Sequence, residues 1–219
     1  MAGFQIDETL MLSGTEGFIK ALADAAKQTQ KDFGIFASVT LGQAIIESGW
    51  GKSNVARDNK NLFGIKYSLS YKPAPGINVK AAGRKCPAGE QGGAMYYVFY
   101  ESYGDSVYDH GNFLKVNPRY TKAGVFTAQN AKDQMKAICA AGYAEVGGSY
   151  ATSVISAMDK YKLYQYDDLN GFTGVDMGAG GSPGSGSGGG GGEVLDILPN
   201  VDHRYNIANM DKVKGACLI

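Results

Sequence analysis

One carboxylate in the stretch "LGQAIIESGWGKS", residues 41–53, has surroundings suited to acid catalysis. Glu47 falls in the last turn of a predicted helix, where the negative helix end disfavours its charged form by roughly 0.3–1 kcal/mol. Burial beside Trp50 would favour the protonated form further, and the flanking Gly49 and Gly51 would let a bulky ligand approach the backbone. A general acid must keep its proton near neutral pH, so Glu47 is a candidate for that role. The alternative is an exposed glutamate that pairs with a lysine.

The elements that must position Glu47 follow from the spacing of apolar residues. "SGTEGFIKALADAAKQTQKDFG" predicts a first helix that Gly34 ends, and Ser13 and Glu16 have the spacing of a capping box at its start. "ASVTLGQAIIES" predicts the second helix, which carries Glu47. Further helical patterns lie in "SYGDSVYDHGNFLKV", "TAQNAKDQMKAICAAG" and "SYATSVISAMDKYKL".

Residues 61–100 differ from these helices because they are rich in Gly, Pro, Tyr and Val. They predict a small lobe of strands and turns, in which "INVKAAGRKC" and "AMYYVFY" pair across the turn "PAGEQGG". The predicted fold is therefore α+β, with a mainly helical lobe and a small β-lobe inserted between the second and third helices. Aromatic clusters such as "MYYVFYESY" suit either stacking on sugar rings or cross-strand pairs that stabilise the β-lobe.

The composition argues against several classes of function. The chain has 219 residues, 44% of them hydrophobic, and its 21 basic and 21 acidic residues lack the basic surplus typical of nucleic-acid binding. No apolar run approaches the ~20 residues of a membrane-spanning helix, and the N-terminus does not resemble a secretory signal. We therefore expect neither a membrane partner nor export by the general secretory route. The histidines and cysteines are few and widely spaced, so we expect free thiols and no metal or cofactor, with a Cys86–Cys139 disulfide as the alternative.

A Gly/Ser-rich segment divides the chain into three parts. Residues 178–192, "GAGGSPGSGSGGGGG", have the composition of a flexible linker. We expect residues 1–177 to form one domain and residues 193–219 to form a separate C-terminal tail. The tail is either the start of a second domain or a docking segment for another subunit.

Four sequence blocks occur in an order typical of one enzyme family. The blocks "SVTLGQAIIESGWGKS", "NLFGIK", "VFYESYGDSVYDHGNFLKVNPRY" and "AGYAEVGGSYATSV" resemble the glucosaminidase family of peptidoglycan hydrolases, found in flagellar-rod muramidases, autolysins and phage tail lysins. The resemblance covers roughly residues 15–165. It implies a lysozyme-like fold in which a groove between two lobes holds a glycan strand. It also implies hydrolysis of the β-1,4 bond on the reducing side of N-acetylglucosamine.

The resemblance implies catalytic roles for three residues. Glu47 matches the general acid of the family's E-S-G-W-G motif. The family often carries a second, water-activating glutamate in the β-lobe; the candidate here is Glu90, which comes later than the family pattern and is otherwise a solvated turn residue. Without Glu90, the N-acetyl group of the substrate would assist Glu47. Tyr143, in "AGYAEV", matches a tyrosine of the groove that would hold the N-acetyl group or position water.

Four further residues are candidates for substrate binding. Trp50 follows the acid, and Asn61 and Phe63 of "NLFGIK" fall at the expected junction of the two lobes. Phe63 suits packing better than sugar contact. Asp109, in "VYDHGNFL", matches an acidic position of the family at a helix start, for which we favour a structural role.

The tail resembles the start of a second class of wall hydrolase. Asp202 and "MDKVKGACLI" are similar to the early aspartate and the following stretch of (β/α)-barrel muramidases, over about 20 residues. With the linker, this resemblance favours a component of a phage tail, located in the virion or at the cell wall, with glycan strands and other tail subunits as partners. The alternatives are a lytic transglycosylase or muramidase on the same fold and a non-catalytic wall-binding tail module.

Overall fold

A computed structural model of the chain describes residues 4–87, 96–144 and 148–169, which form a mainly helical fold with one two-stranded sheet. In chain order the elements are α1 (Glu8–Leu12), α2 (Thr15–Phe33), α3 (Ala37–Ser48), α4 (Asn54–Asn59), β1 (Val79–Lys85), β2 (Tyr96–Tyr100), α5 (Tyr103–Val116), α6 (Pro118–Lys122), α7 (Ala131–Ala140) and α8 (Gly148–Lys160), with 3₁₀ turns at Val125–Thr127 and Leu163–Tyr166. The predicted α+β class is confirmed.

Helix α3 lies at the centre of the helical lobe. Ten of its twelve residues are buried, which is typical of a helix that is packed on all sides. It contacts α2 and α8, and also α7 and the second 3₁₀ turn. The sequence predicted its bounds correctly, because an apolar run is followed by Gly49, whose left-handed backbone caps the helix end.

The start of α2 differs from the prediction. The N-cap residue is Gly14, which has no side chain to accept a hydrogen bond, and Ser13 Oγ instead donates to the carbonyl of Leu10. Glu16 forms an ion pair with Lys20 on the helix surface, at 2.7 Å. The predicted capping box is wrong because the short helix α1, which the sequence analysis missed, ends at this point and takes Ser13 as its C-cap.

The predicted pairing of the two strand segments is confirmed. Strands β1 and β2 are antiparallel, with Val79 opposite Tyr100, and the register shifts between Ala81 and Lys85. Asn59, at the end of α4, donates to the carbonyl of Ala82 at 2.8 Å. Its side chain also lies 2.5 Å from the position that a Cβ would take on Gly83, so the sheet accepts no larger residue there.

In the described residues we also looked for a disulfide and for a helix that could cross a membrane. Within that part of the chain Cys86 and Cys139 are not joined to each other, so the alternative disulfide is not formed. No helix in the described ranges is long and apolar enough to cross a membrane. The linker, the tail with Asp202, and the third cysteine, Cys217, lie outside the described residues.

Candidate active site

The turn after α3 has a left-handed backbone, which accounts for the two glycines that flank Trp50. Gly49, Trp50 and Gly51 all have positive φ angles, of 56°, 63° and 74°, so the chain makes three consecutive left-handed steps. Glycine adopts this region freely, whereas at Trp50 it costs on the order of 1 kcal/mol. Ser48 Oγ holds the turn by accepting a hydrogen bond from the backbone N–H of Gly51 at 2.8 Å.

The contacts of this turn point inward to the core. A Cβ on Gly51 would lie 3.1 Å from Met11 Cε and 3.3 Å from Phe18 Cε2, so this glycine serves close packing and does not open a path for a ligand. The ring of Trp50 packs edge-on against Phe18 and Tyr161, with centroids 5.5 and 4.9 Å away. Sugar contact by Trp50 stays a prediction, while its contacts with Phe18 and Tyr161 support a role in packing.

Glu47 itself is half-buried and receives a hydrogen bond from a tyrosine of α8. The hydroxyl of Tyr150 donates to Glu47 Oε1 at 2.5 Å, across 103 residues of sequence. Gln43 Nε2 in turn donates to the same hydroxyl oxygen at 3.3 Å. Gln43 and Tyr150 are both buried, at 0% and 3% exposure, whereas Glu47 keeps part of its surface accessible. The site thus consists of one accessible carboxylate supported from below by two buried polar side chains.

The charge of Glu47 affects two neighbouring groups. Burial raises the pKa of Tyr150 well above its usual value, and the carboxylate of Glu47 raises it further. The pKa of Cys139 on α7 rises to about 11, again through burial first and with Glu47 as a smaller cause. Both groups therefore stay protonated near neutral pH, and Tyr150 remains a hydrogen-bond donor to the acid.

Tyr143, the tyrosine that the sequence analysis singled out, lies behind Tyr150. Its ring stacks on that of Tyr150 at 5.7 Å, and its hydroxyl forms a hydrogen bond of 3.0 Å with His110 Nε2. His110 is fully buried, which lowers its pKa to about 3 and keeps it neutral. The hydroxyl in contact with the acid is thus that of Tyr150, and a catalytic role for Tyr143 stays a prediction.

Phe63 is the last of the contacting rings that begin at Tyr150 and continue through Tyr143 and His110. Its ring stacks on the imidazole of His110 at 3.8 Å with an interplanar angle of 9°, and it is 4% exposed. Asn61 is equally buried: its side chain donates to the carbonyls of Ile65 and Val98 and accepts from the N–H of Ile65. Through these contacts Asn61 reaches β2 and Phe63 reaches α5, and a direct contact of either with a sugar stays a prediction.

Asp109 is a buried carboxylate on α5 that ties the β-lobe to the helical lobe. Its Oδ2 accepts hydrogen bonds from the hydroxyls of Tyr71 and Tyr100, and its Oδ1 accepts one from the N–H of Ala74 at 2.6 Å. Burial raises the pKa of Asp109, and these donors oppose part of the rise. Because Asp109 is 0% exposed, the structure supports the favoured structural role more than substrate binding.

The second predicted carboxylate, Glu90, lies outside the described residues. Within the ranges that the structure describes, no three His, Cys, Asp or Glu side chains group closely enough to hold a metal ion.

Three residues around Glu47 and Tyr143 were not predicted from the sequence: Gln43, His110 and Tyr150. Gln43 had a usable signal, because it lies four residues before Glu47 and so shares its helix face. Tyr150 had none, since its contact with Glu47 depends on how α8 packs against α3.

Comparison with known proteins identifies similar sequences and a similar fold. The sequence profile of the family described as "Glucosaminidase: Mannosyl-glycoprotein endo-beta-N-acetylglucosaminidase" matches residues 23–163. The chain is 28% identical over 168 residues to the exo-glucosaminidase LytG of Bacillus subtilis (strain 168), covering 74% of this chain and 57% of LytG. It is 31% identical over 156 residues to the peptidoglycan hydrolase FlgJ of Salmonella typhimurium, covering 69% of this chain and 48% of FlgJ. The chain thus spans about half the length of these relatives.

A solved structure supports the same conclusion about the fold. The catalytic domain of the autolysin Auto from Listeria monocytogenes superimposes with a TM-score of 0.51 and 26% identity, covering 74% of this chain and 94% of that domain. The helix-dominated architecture with a small β-lobe therefore agrees with the lysozyme-like fold that the sequence predicted.

Proposed function

This chain belongs to the glucosaminidase family, and on that premise we propose that it hydrolyses peptidoglycan with Glu47 as the general acid. The bond cut is the β-1,4 bond on the reducing side of N-acetylglucosamine. The glycan strand would lie between the helical lobe and the β-lobe, with Glu47 directed at the glycosidic oxygen.

The observation that carries this proposal is the setting of Glu47. Its carboxyl group is half-buried at the negative end of α3, where the protonated form is favoured. Its Oε1 accepts a hydrogen bond from Tyr150, and the carboxyl group keeps accessible surface through which it can donate a proton to a leaving group. A purely structural glutamate would not need an accessible carboxyl group supported from below by buried polar side chains.

We propose Glu90 as the group that completes the reaction. A second carboxylate about 5–5.5 Å from the acid would act as a nucleophile, and one about 6.5–9.5 Å away would activate water. If Glu90 does not reach the substrate, the N-acetyl group of the sugar takes its place. Glu90→Gln separates these cases, since activity that survives this substitution favours assistance by the substrate.

The test is digestion of purified peptidoglycan by the full chain, with mass spectrometry of the products. Glu47→Gln should reduce product formation by about 10²–10⁴-fold, because a general acid contributes a factor of that size. Glu16→Gln is the matched control, since that glutamate lies on the surface in an ion pair with Lys20. Thermal unfolding of both variants should show that each remains folded.

The identity of the products decides between the enzyme classes. Fragments that end in reducing N-acetylglucosamine support the proposal. Fragments that end in reducing N-acetylmuramic acid would assign a muramidase, and 1,6-anhydro ends would assign a lytic transglycosylase. Binding to walls without any release of sugar would overturn the enzymatic proposal in favour of a wall-binding module.

We further propose that the protein opens the cell wall locally as a component of a phage tail or tail-like particle. This setting is supported by the Gly/Ser-rich segment at residues 178–192 and by the likeness of the tail to the start of a barrel muramidase. The test is peptide mass spectrometry of purified particles, in which the chain should remain associated after high-salt washing. Its absence from particles would contradict this setting and leave the enzymatic proposal unaffected.

A further inference from the structure

We propose that Tyr150, supported by Gln43, is a positioning residue that holds the carboxyl group of Glu47 in the orientation that proton donation requires. The inference rests on the proposed function, because it concerns the same acid. It extends that function by assigning the orientation of the acid to the hydrogen bond that Tyr150 donates to Oε1.

The direction of the hydrogen bonds follows from the donors available. A tyrosine hydroxyl has one proton, and a carboxamide nitrogen can only donate. Gln43 Nε2 donates to the Tyr150 oxygen at 3.3 Å, so the hydroxyl proton is free to point to Glu47 Oε1, which lies 2.5 Å away. The hydroxyl of Tyr150 therefore fixes the direction of the Oε1 edge of the Glu47 carboxyl group.

The ring of Tyr150 is held in place by neighbouring side chains. Its hydroxyl is part of a buried side chain that is 3% exposed, so water does not compete for the hydrogen bond. Tyr143 stacks against the ring, and Tyr143 is in turn held by its hydrogen bond to His110. A catalytic group held by locked neighbours keeps its geometry without further ordering when the substrate binds.

The hydrogen bond also has an electrostatic consequence. Two titratable groups that interact with Glu47 are Tyr150 on α8 and Cys139 on α7. Donation from Tyr150 stabilises the ionised form of Glu47, and neither neighbour carries a charge near neutral pH. Loss of the hydroxyl should therefore make Glu47 retain its proton to higher pH.

The experiment compares Tyr150→Phe with the matched control Tyr108→Phe in the full chain. Tyr108 is also a buried tyrosine that donates to a carboxylate, Asp32 Oδ2, at 2.7 Å, but it lies on α5 and contacts α2. We expect Tyr150→Phe to lower kcat about tenfold or more with little change in KM, because misplacement of a catalytic group is costly. The descending limb of its pH–activity profile should move up by about one pH unit.

A second variant and a second readout keep the inference testable. Gln43→Met removes the donor at similar volume, and we expect a shift in the same direction as Tyr150→Phe but smaller. Titration of Glu47 by ¹³C NMR, with Glu47→Gln to assign its signal, measures the same shift without any substrate. If the wild-type protein releases no sugar, the proposed function fails and the NMR titration still decides the role of Tyr150.

The result that would overturn the inference is an unchanged titration. If Tyr150→Phe has the same kcat, the same pH profile and the same NMR midpoint as Tyr108→Phe, the hydrogen bond only contributes to packing. A change in KM alone would assign Tyr150 to substrate binding and would equally overturn the positioning role.

Discussion

At the scale of single residues, two carboxylates with similar partners differ in how far they are buried. Glu47 and Asp109 both accept hydrogen bonds from tyrosine hydroxyls. Glu47 keeps accessible surface, whereas Asp109 is 0% exposed and accepts an additional bond from a backbone N–H. A carboxylate that has used its acceptor sites inside the protein stabilises the fold, while one with accessible surface can reach a substrate.

Asp109→Asn tests the structural role. The amide keeps the volume but replaces one acceptor oxygen with a donor, which opposes the hydroxyls of Tyr71 and Tyr100 or the N–H of Ala74. We expect the free energy of unfolding to fall by about 1.5–3 kcal/mol in urea denaturation. Asp24→Asn, at a highly exposed position of α2, is the control and should change it little. Equal stability of the two variants would contradict this role.

At the scale of elements, the first N–H groups of α3 are satisfied by distant parts of the chain. Gln134 Oε1 accepts from the N–H of Phe36 at 2.8 Å, and Gln30 Oε1 accepts from that of Ala37 at 3.1 Å. Asp167 Oδ1 accepts from the N–H of Ser38 at 2.7 Å. These contacts replace the local cap that Phe36 cannot provide, and they fix the helix that carries the acid.

Asp167→Asn tests this distant cap through its pH dependence. Burial raises the pKa of Asp167 from its ordinary 3.8 to about 6, although Ser38 and Ala37 donate to it. Between these two pH values the folded protein binds more protons than the unfolded chain, so its stability falls as pH rises through this window. Subtracting the unfolding free energy of Asp167→Asn from that of the wild type should show a decline on the order of 3 kcal/mol from pH 4 to 7.

The subtraction isolates Asp167 because all other carboxylates are common to both proteins. Asparagine is itself a good helix cap, so the variant should fold and show a flatter profile. Parallel pH profiles of the two proteins would contradict the raised pKa of Asp167.

At the scale of the whole molecule, the N-terminal segment around Phe4 packs against the first turns of helix α5. The N–H of Phe4 donates to Asp105 Oδ1 at 2.8 Å, and Ser102 Oγ donates to the carbonyl of Phe4 at 2.5 Å. The ring of Phe4 packs on Tyr108 with centroids 4.6 Å apart. A Cβ on Gly104 would lie 2.4 Å from the carbonyl oxygen of Phe4, so this glycine permits the close approach.

Removal of residues 1–6 should lower stability and leave the acid in place. The loss of two hydrogen bonds and one aromatic contact amounts to about 2–4 kcal/mol, which corresponds to a fall in Tm of about 4–16 °C for a chain of this size. Gly104→Ala should reproduce part of this effect, because it displaces the same segment. Scanning calorimetry measures both, and unchanged Tm values would show that the segment contributes nothing.

Much of the architecture was predictable because its signals are local. The apolar spacing of α2 and α3, the glycines that end them, and the two strand segments depend on residues close together in sequence. The motif around Glu47 was local too, so the sequence identified the candidate acid, although its role there stays a proposal. The capping box at Ser13 failed because a competing helix end used the same residue.

By itself, the sequence determined the longer helices, the β insertion, the family and the identity of the candidate acid. Only the tertiary structure decided which side chains support that acid. Tyr150 rather than Tyr143 donates a hydrogen bond to Glu47. At the other end of the same helix, Asp167 accepts a hydrogen bond from Ser38, 129 residues away in sequence. The physical reason is that such hydrogen bonds form between elements that meet only when the core packs. Their partners therefore leave no periodic or neighbouring signal in the chain.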